Sequence, residues 1–166
     1  MSNLPAVRGE VTQTSNEIIQ LVSFELDGEE YGIDVLTVRE IIRMPSITKM
    51  PNTPDYLDGI INLRGTVVPI ISLRKRFSLM DREHDRQSRI LVMEVGDSLT
   101  GFIVDAVAEV IRISSGEIQP PPSIAQGSTA QECITGVVNH GERLLIALDL
   151  NRLFSDEEKA VFETLE

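Results

Sequence analysis

The chain has 166 residues, 42% of them hydrophobic and 25% charged, with 26 acidic against 15 basic side chains and a formal net charge of -11. A field of that sign repels a phosphate backbone, which argues against nucleic acid as the main partner. A single cysteine, Cys133, excludes an intrachain disulfide; with no signal-like start and no apolar run near the ~18 residues of a membrane span, the expectation is a cytoplasmic protein without membrane insertion of its own.

Residues 1–17 are polar and aperiodic, and are expected to form a flexible tail. From residue 18 the pattern changes. Val22, Phe24 and Leu26 alternate with Ser23 and Glu25, the signature of a half-buried strand. Asp27-Gly28 then supplies the residues that a two-residue hairpin turn requires. The stretch Val35 to Met44 is rich in β-branched residues but also carries Val35, Val38 and Ile42 near helical spacing. We read one short turn of helix near Val35, followed by a strand. Gly59 to Asn62 and Val67 to Ile71 are strands around the turn Leu63-Arg64-Gly65-Thr66. Pro69 cannot donate a ladder hydrogen bond, so its strand is expected at an edge there. Ser72 is a good N-cap for a short helix that would bury Leu73 with Phe77. The stretch 64–89 holds seven Lys or Arg against three acidic residues, either a solvated face or a docking patch for an acidic partner.

The second half repeats the first. Leu21 to Met44 aligns without gaps on Ile90 to Ile113, with identities at Glu25/Glu94, Gly32/Gly101, Val35/Val104, Val38/Val107, Glu40/Glu109, Ile42/Ile111 and Arg43/Arg112. Gly59 to Phe77 aligns on Gly136 to Phe154, matching Gly59/Gly136, Asn62/Asn139, Leu73/Leu150 and Phe77/Phe154. Gly96-Asp97 repeats the hairpin turn, and Asp149 stands where Ser72 stands, another N-cap. The connector between the blocks, Ser114 to Thr135 with Pro120-Pro121-Pro122, is longer in this half and reads as an irregular loop. The tail 155–166 reads as an amphipathic helix, with capping-box spacing at Ser155 and Glu158, and Phe154, Val161 and Leu165 on one face. Residues 18–154 thus form one domain with an internal duplication of about 18–77 and 90–154. A unit of ~60 residues buries too little to stand alone, so the two copies should share apolar surface.

The chain offers no candidate catalytic residue. His84 lies in the charged linker and His140 in the turn Asn139-His140-Gly141, both positions of solvated residues. Cys133 has no nearby histidine and reads as an inert thiol. The pairs Glu29-Glu30 and Glu157-Glu158 read as solvated charge, and no metal-ligand spacing or phosphate-binding glycine loop occurs. Gly59, Gly65, Gly136 and Gly141 are explained as hairpin punctuation. No metal or cofactor is implied.

The runs Glu30-Tyr31-Gly32-Ile33-Asp34-Val35-Leu36-Thr37-Val38-Arg39-Glu40-Ile41, Met50-Pro51-Asn52-Thr53-Pro54 and Gly59-Ile60-Ile61-Asn62-Leu63-Arg64-Gly65-Thr66-Val67-Val68-Pro69-Ile70 resemble the CheW family of bacterial chemosensory adaptors. The resemblance extends from about Ile18 to Phe154. It departs at Ser72, where the family usually has aspartate. It implies a mainly β fold of two intertwined SH3-like five-stranded β-barrels sharing a hydrophobic core, with short helices after the hairpins and a C-terminal helix. It also implies a non-enzymatic scaffold that couples chemoreceptor cytoplasmic tips to the regulatory domain of the CheA histidine kinase, recruited through them to the membrane-associated array, with further CheW copies as ring partners. Receptor binding is expected at Val38, Glu40, Gly59, Asn62 and Arg64, in an apolar groove between the barrels. A Glu40–Arg64 ion pair is expected on one side of the duplication only, since Arg64 aligns with Gly141; it would either clip the first hairpin or shape the receptor groove. Kinase contacts would use exposed apolar strand edges and loops at the barrel ends. The alternatives are a CheW-like adaptor of a non-flagellar pathway such as twitching motility, or of kinase-free rings, and, from another class, a small β-barrel ligand-binding protein or enzyme.

Overall fold

The computed structural model describes residues 17–121 and 132–164, the side chains of 161–164 excepted. The first half forms strands β1 (Ile18–Leu26), β2 (Glu29–Asp34), β3 (Val38–Arg43), β4 (Leu57–Leu63) and β5 (Thr66–Ser72), then helix α1 (Leu73–Arg76). The second half forms β6 (Arg89–Val95), β7 (Ser98–Val104), β8 (Ala106–Ser114), β9 (Ile134–His140) and β10 (Arg143–Leu148), a 3-10 turn at Leu150–Leu153 and helix α2 (Asp156–Thr164). The short helical turn read near Val35 is a 3-10 turn at Val35–Thr37, capped by the Asp34 carboxylate, which accepts from the Leu36 amide. The tail 1–16, most of the proline-rich connector and the side chains of Val161 and Leu165 lie outside the described residues.

The strands form two five-stranded sheets, ordered β8-β1-β2-β10-β9 and β3-β6-β7-β5-β4. Replacing each strand by its repeat partner converts one order into the other, so the duplication is a pseudo-twofold. The copies are not the two sheets, however. Each sheet takes a hairpin from one half (β1–β2 or β6–β7) and three strands from the other, joined through the parallel pairs β2–β10 and β5–β7. Hairpin geometry explains the short steps. Asp27 and Gly28 lie at φ +55° and +81°, and Arg64 and Gly65 at +50° and +91°, the left-handed pairs that suit the twist of the flanking strands.

The repeat extends to irregularities. Relative to their partners, β3 and β8 each carry one extra residue, Arg39 and Ala108, at equivalent positions. β4 and β9 do the same at Asp58 and Thr135. Such bulges bend a strand and re-aim the side chains beside them. The two connectors also match: Thr48 exchanges both backbone hydrogen bonds with Ile60 (2.9 and 2.8 Å), and Gln119 does so with Val137 (2.9 and 2.8 Å). These crossings explain Gly59 and Gly136, which are strand residues and not the hairpin punctuation expected. A Cβ on Gly59 would meet the Thr48 carbonyl oxygen at 2.2 Å, and one on Gly136 would meet the Ile118 side chain at 2.3 Å.

Pro69 requires a second correction, because β5 is an interior strand. Its pairing with β7 begins only at Ile70, and Ile60, opposite Pro69, spends its amide on Thr48. The missing N–H therefore interrupts neither ladder. Both caps hold as expected: Ser72 Oγ accepts from Lys75 N, and Asp149 Oδ1 from Asn151 N. Leu73, Leu150 and Phe154 are buried, with Phe77 half-buried beside them. Each sheet encloses its own cluster, Ile61, Val68, Ile70, Ile90, Val92 and Ile103 in one, Leu21, Ile111, Ile113, Val138 and Leu145 in the other. A larger cluster that includes Phe24, Leu26, Leu91, Met93, Phe102 and Phe154 lies between the sheets.

Candidate functional site

Val38 opens β3, half-buried against the cluster between the sheets, where its repeat partner Val107 also sits. Glu40 follows directly after the Arg39 bulge. Arg64 projects from the β4–β5 turn, and its Nη2 donates to Glu40 Oε1. β3 and β4 are the two edges of their sheet, so this pair spans the gap between edges and is not confined to one hairpin. The guanidinium is exposed, and its hydrogen bond to Glu40 raises its pKa above the ordinary arginine value. Asn62 braces the turn, its Oδ1 accepting from Gly65 N at 2.7 Å. Gly59 lies toward the other end of β4 beneath the connector. Glu40, Asn62 and Arg64 are thus brought together, with Val38 beside them on β3 and Gly59 in the supporting frame.

Arg64 carries a cost. A non-glycine residue in the left-handed region is disfavoured by roughly 1–2 kcal/mol, and arginine has no short side chain with which to offset it locally. The second half places Gly141 (φ +66°) there instead. The repeat of Glu40 has an imidazole nearby in place of that guanidinium. Glu109, the copy of Glu40, has His140 Nε2 3.8 Å from its Oε2, the histidine coming from the residue before Gly141.

The basic stretch is largely neutralised from within. Arg74, buried on α1, donates through Nε and Nη2 to Asp105 (2.9 and 2.6 Å) and through Nη1 to the Met80 carbonyl (2.6 Å). Asp105 also accepts from the Asp27 amide at 2.8 Å, tying the β1–β2 turn to the same charge. Burial pushes Asp105 up, but Arg74 and the Asp27 amide outweigh it and hold the carboxyl below its usual range. Arg76 lies over the rings of Tyr56 and Phe154 (4.6 and 5.1 Å), donates to the Leu153 carbonyl (2.7 Å) and pairs with Glu158. Glu30, expected to be solvated, is buried, with Arg143 Nε 3.9 Å from its Oε1. The period-two pattern could have suggested this, because Glu30 shares a face with Gly32 and lies opposite Leu145.

The larger concavities lie elsewhere. An open cleft of about 760 Å³ runs between the connector and the linker, with Met44, Ile47, Lys49, Lys75 and His84 among its walls. There Asp58 pairs with Lys75 Nζ at 3.3 Å and has His84 Nε2 at 3.9 Å. Burial pushes the Cys133 thiol up to about 12, which keeps it protonated and unreactive. Among the described residues no group of three His, Cys, Asp or Glu is placed to hold a metal ion, and no helix is long and apolar enough to cross a membrane.

A β framework with an arginine in a left-handed surface turn, its buried charges paired internally and no catalytic group assembled among the described residues, fits the class of binding scaffolds. The comparisons identify which. The family model for the CheW-like domain matches residues 20–158, and the chain belongs to that family, a family of chemotaxis scaffold proteins. It is 38% identical over 146 residues to the chemotaxis protein CheW of Klebsiella aerogenes, covering 88% of this chain and 87% of that one. It is 40% identical over 148 residues to CheW of Treponema pallidum, covering 87% and 86%. The crystal structure of the scaffolding protein TtCheW from Thermoanaerobacter tengcongensis superposes with a TM-score of 0.77 at 40% identity, covering 84% of this chain and 94% of that one.

Proposed function

We propose that the chain couples chemoreceptor cytoplasmic tips to the histidine kinase CheA, working in the cytoplasm by docking and without turnover of its own. The observation that carries this is the Glu40–Arg64 pair beside half-buried Val38: strain retained at an exposed position reflects a constraint that folding alone does not impose. A helical tip recognised here would lay an apolar stripe over Val38 and set its polar edge against Glu40 and Arg64. Gly59 and Asn62 would support that face from within the β4 frame. For the kinase's regulatory domain, and for further CheW copies in rings, the exposed Ile41 on β3 and Val110 on β8 offer matching apolar positions on the edge strands of the two sheets.

The test is titration of the full chain with a soluble receptor-tip fragment and with the kinase's regulatory domain, separately and together. Binding to each, a ternary complex and no nucleotide hydrolysis are expected. Arg64→Ala should weaken tip binding about tenfold, as loss of a central charged contact does, with little change in denaturant midpoint. Failure to bind either partner would overturn the coupling role. Equal losses of affinity and stability would move the receptor face elsewhere.

A further inference from the structure

Two consecutive left-handed residues make the β4–β5 turn, and its first position is normally filled by glycine, asparagine or aspartate. The β1–β2 turn obeys, with Asp27 there at φ +55°. So does the β9–β10 turn, with Gly141. The β4–β5 turn alone among these puts a long side chain, Arg64, in that place. Its brace is also distinctive. Asn62 Oδ1 accepts from Gly65 N at 2.7 Å, closing a ring of atoms around Arg64. Asn139 is the same residue at the same place in the repeat, yet among the described residues it makes no such bond, and the turn beside it already has its glycine. The brace occurs where the arginine needs it.

We infer that Asn62 is a positioning residue for Arg64 and not itself a contact for the receptor tip. Its side-chain carbonyl fixes the turn, the turn aims the guanidinium at Glu40 across the gap between β4 and β3, and the pair presents the docking face. This rests on the receptor reading of that face and deepens it. Whatever affinity an Asn62 substitution removes should therefore pass through Arg64. A direct contact would act independently of Arg64, and a purely structural role would lower stability in step with affinity.

The experiment is a double-mutant cycle on the full chain with Asn62→Ala and Arg64→Gly, singly and combined, plus Asn62→Asp as the variant that keeps the acceptor. Three quantities are read: affinity for the soluble receptor-tip fragment, hydrogen exchange at the Gly65 amide, and the guanidinium NMR signals of Arg64. Asn62→Ala should weaken tip binding about fivefold to tenfold and speed Gly65 exchange by about the same factor, as loss of one hydrogen bond does. Its denaturant midpoint should stay close to that of the parent. Asn62→Asp should restore affinity and exchange. With Arg64→Gly already present, Asn62→Ala should change affinity by less than about twofold. Losses that multiply in the double variant, or Gly65 exchange unchanged by Asn62→Ala, would overturn the inference. If Arg64→Gly alone leaves tip affinity intact, the receptor reading has failed; the Gly65 and guanidinium signals then decide alone, and guanidinium signals unmoved by Asn62→Ala would reject the positioning role.

Discussion

Arg74 has 8% of its surface exposed, and its charge is met by Asp105, the Met80 carbonyl and, at 3.5 Å, Asp27. Removing one side of a buried pair strands the other. Asp105→Ala should therefore lower unfolding free energy by about 3–5 kcal/mol in denaturant titration, several times the effect of a surface pair. Acid should do the same more gradually. Burial raises both Asp105 and Glu158, but their arginine and amide donors outweigh it and leave both folded-state values depressed. Their stabilisation is complete above the unfolded values, about 3.9 and 4.3, and is lost as pH falls through the lower folded ones. The denaturant midpoint should hold steady above about pH 5 and fall below about pH 4, with a shallower fall in Asp105→Asn. Gly59→Ala, at φ +154° beneath the Thr48 carbonyl, should destabilise by about 2 kcal/mol or more. The Glu40–Arg64 pair was reached through the resemblance, because both residues lie in the motifs that carry it. The sequence could not point to Arg74 and Arg76 as internal residues, since a run of basic side chains looks the same whether its partners are water or distant carboxylates. The approach of His140 to Glu109 was hidden for a smaller reason: it comes from the position before the one aligned with Arg64.

At the scale of elements, α2 shows how much one cap can hold. Ser155 Oγ accepts from Glu158 N at 3.1 Å, and Glu158 Oε1 accepts from Ser155 N at 2.9 Å, the reciprocal box expected from the spacing. Glu158 also receives the Tyr56 hydroxyl at 2.7 Å and lies 3.3 Å from Arg76, so the cap is also the helix's clasp to the body. Burial and the Glu158 contact push the Tyr56 hydroxyl up to about 12, keeping it a donor. Ser155→Ala should cost about 1 kcal/mol, while Glu158→Ala should free the helix altogether. Limited proteolysis and hydrogen exchange across 156–164 would separate the two, with the sheets unaffected in either variant. The cap was legible because it is local. The clasp was not, because Tyr56, Arg76 and Glu158 come from three segments with no shared period. The connector bridges at Thr48 and Gln119 were hidden likewise, each being a single residue pair without alternation.

For the whole molecule, the repeat identified which strands correspond, while correspondence alone does not say which strands pair. Each half leaves its hairpin in the other half's sheet, so neither sheet exists without both copies. Phe102 is fully buried between the sheets, and Phe102→Ala should cost about 3–5 kcal/mol. It should lower the melting of both sheets together, in one transition by circular dichroism and hydrogen exchange, because the shared cluster belongs to neither alone. The segment 78–88 that joins the halves therefore has a thermodynamic role. Arg74 and the Asp85 turn order it, but its larger effect is to hold one copy at high effective concentration around the other. In this light the chain is a strand-exchanged dimer written as a single polypeptide, and the peptide bonds of that segment are what make its stability independent of dilution.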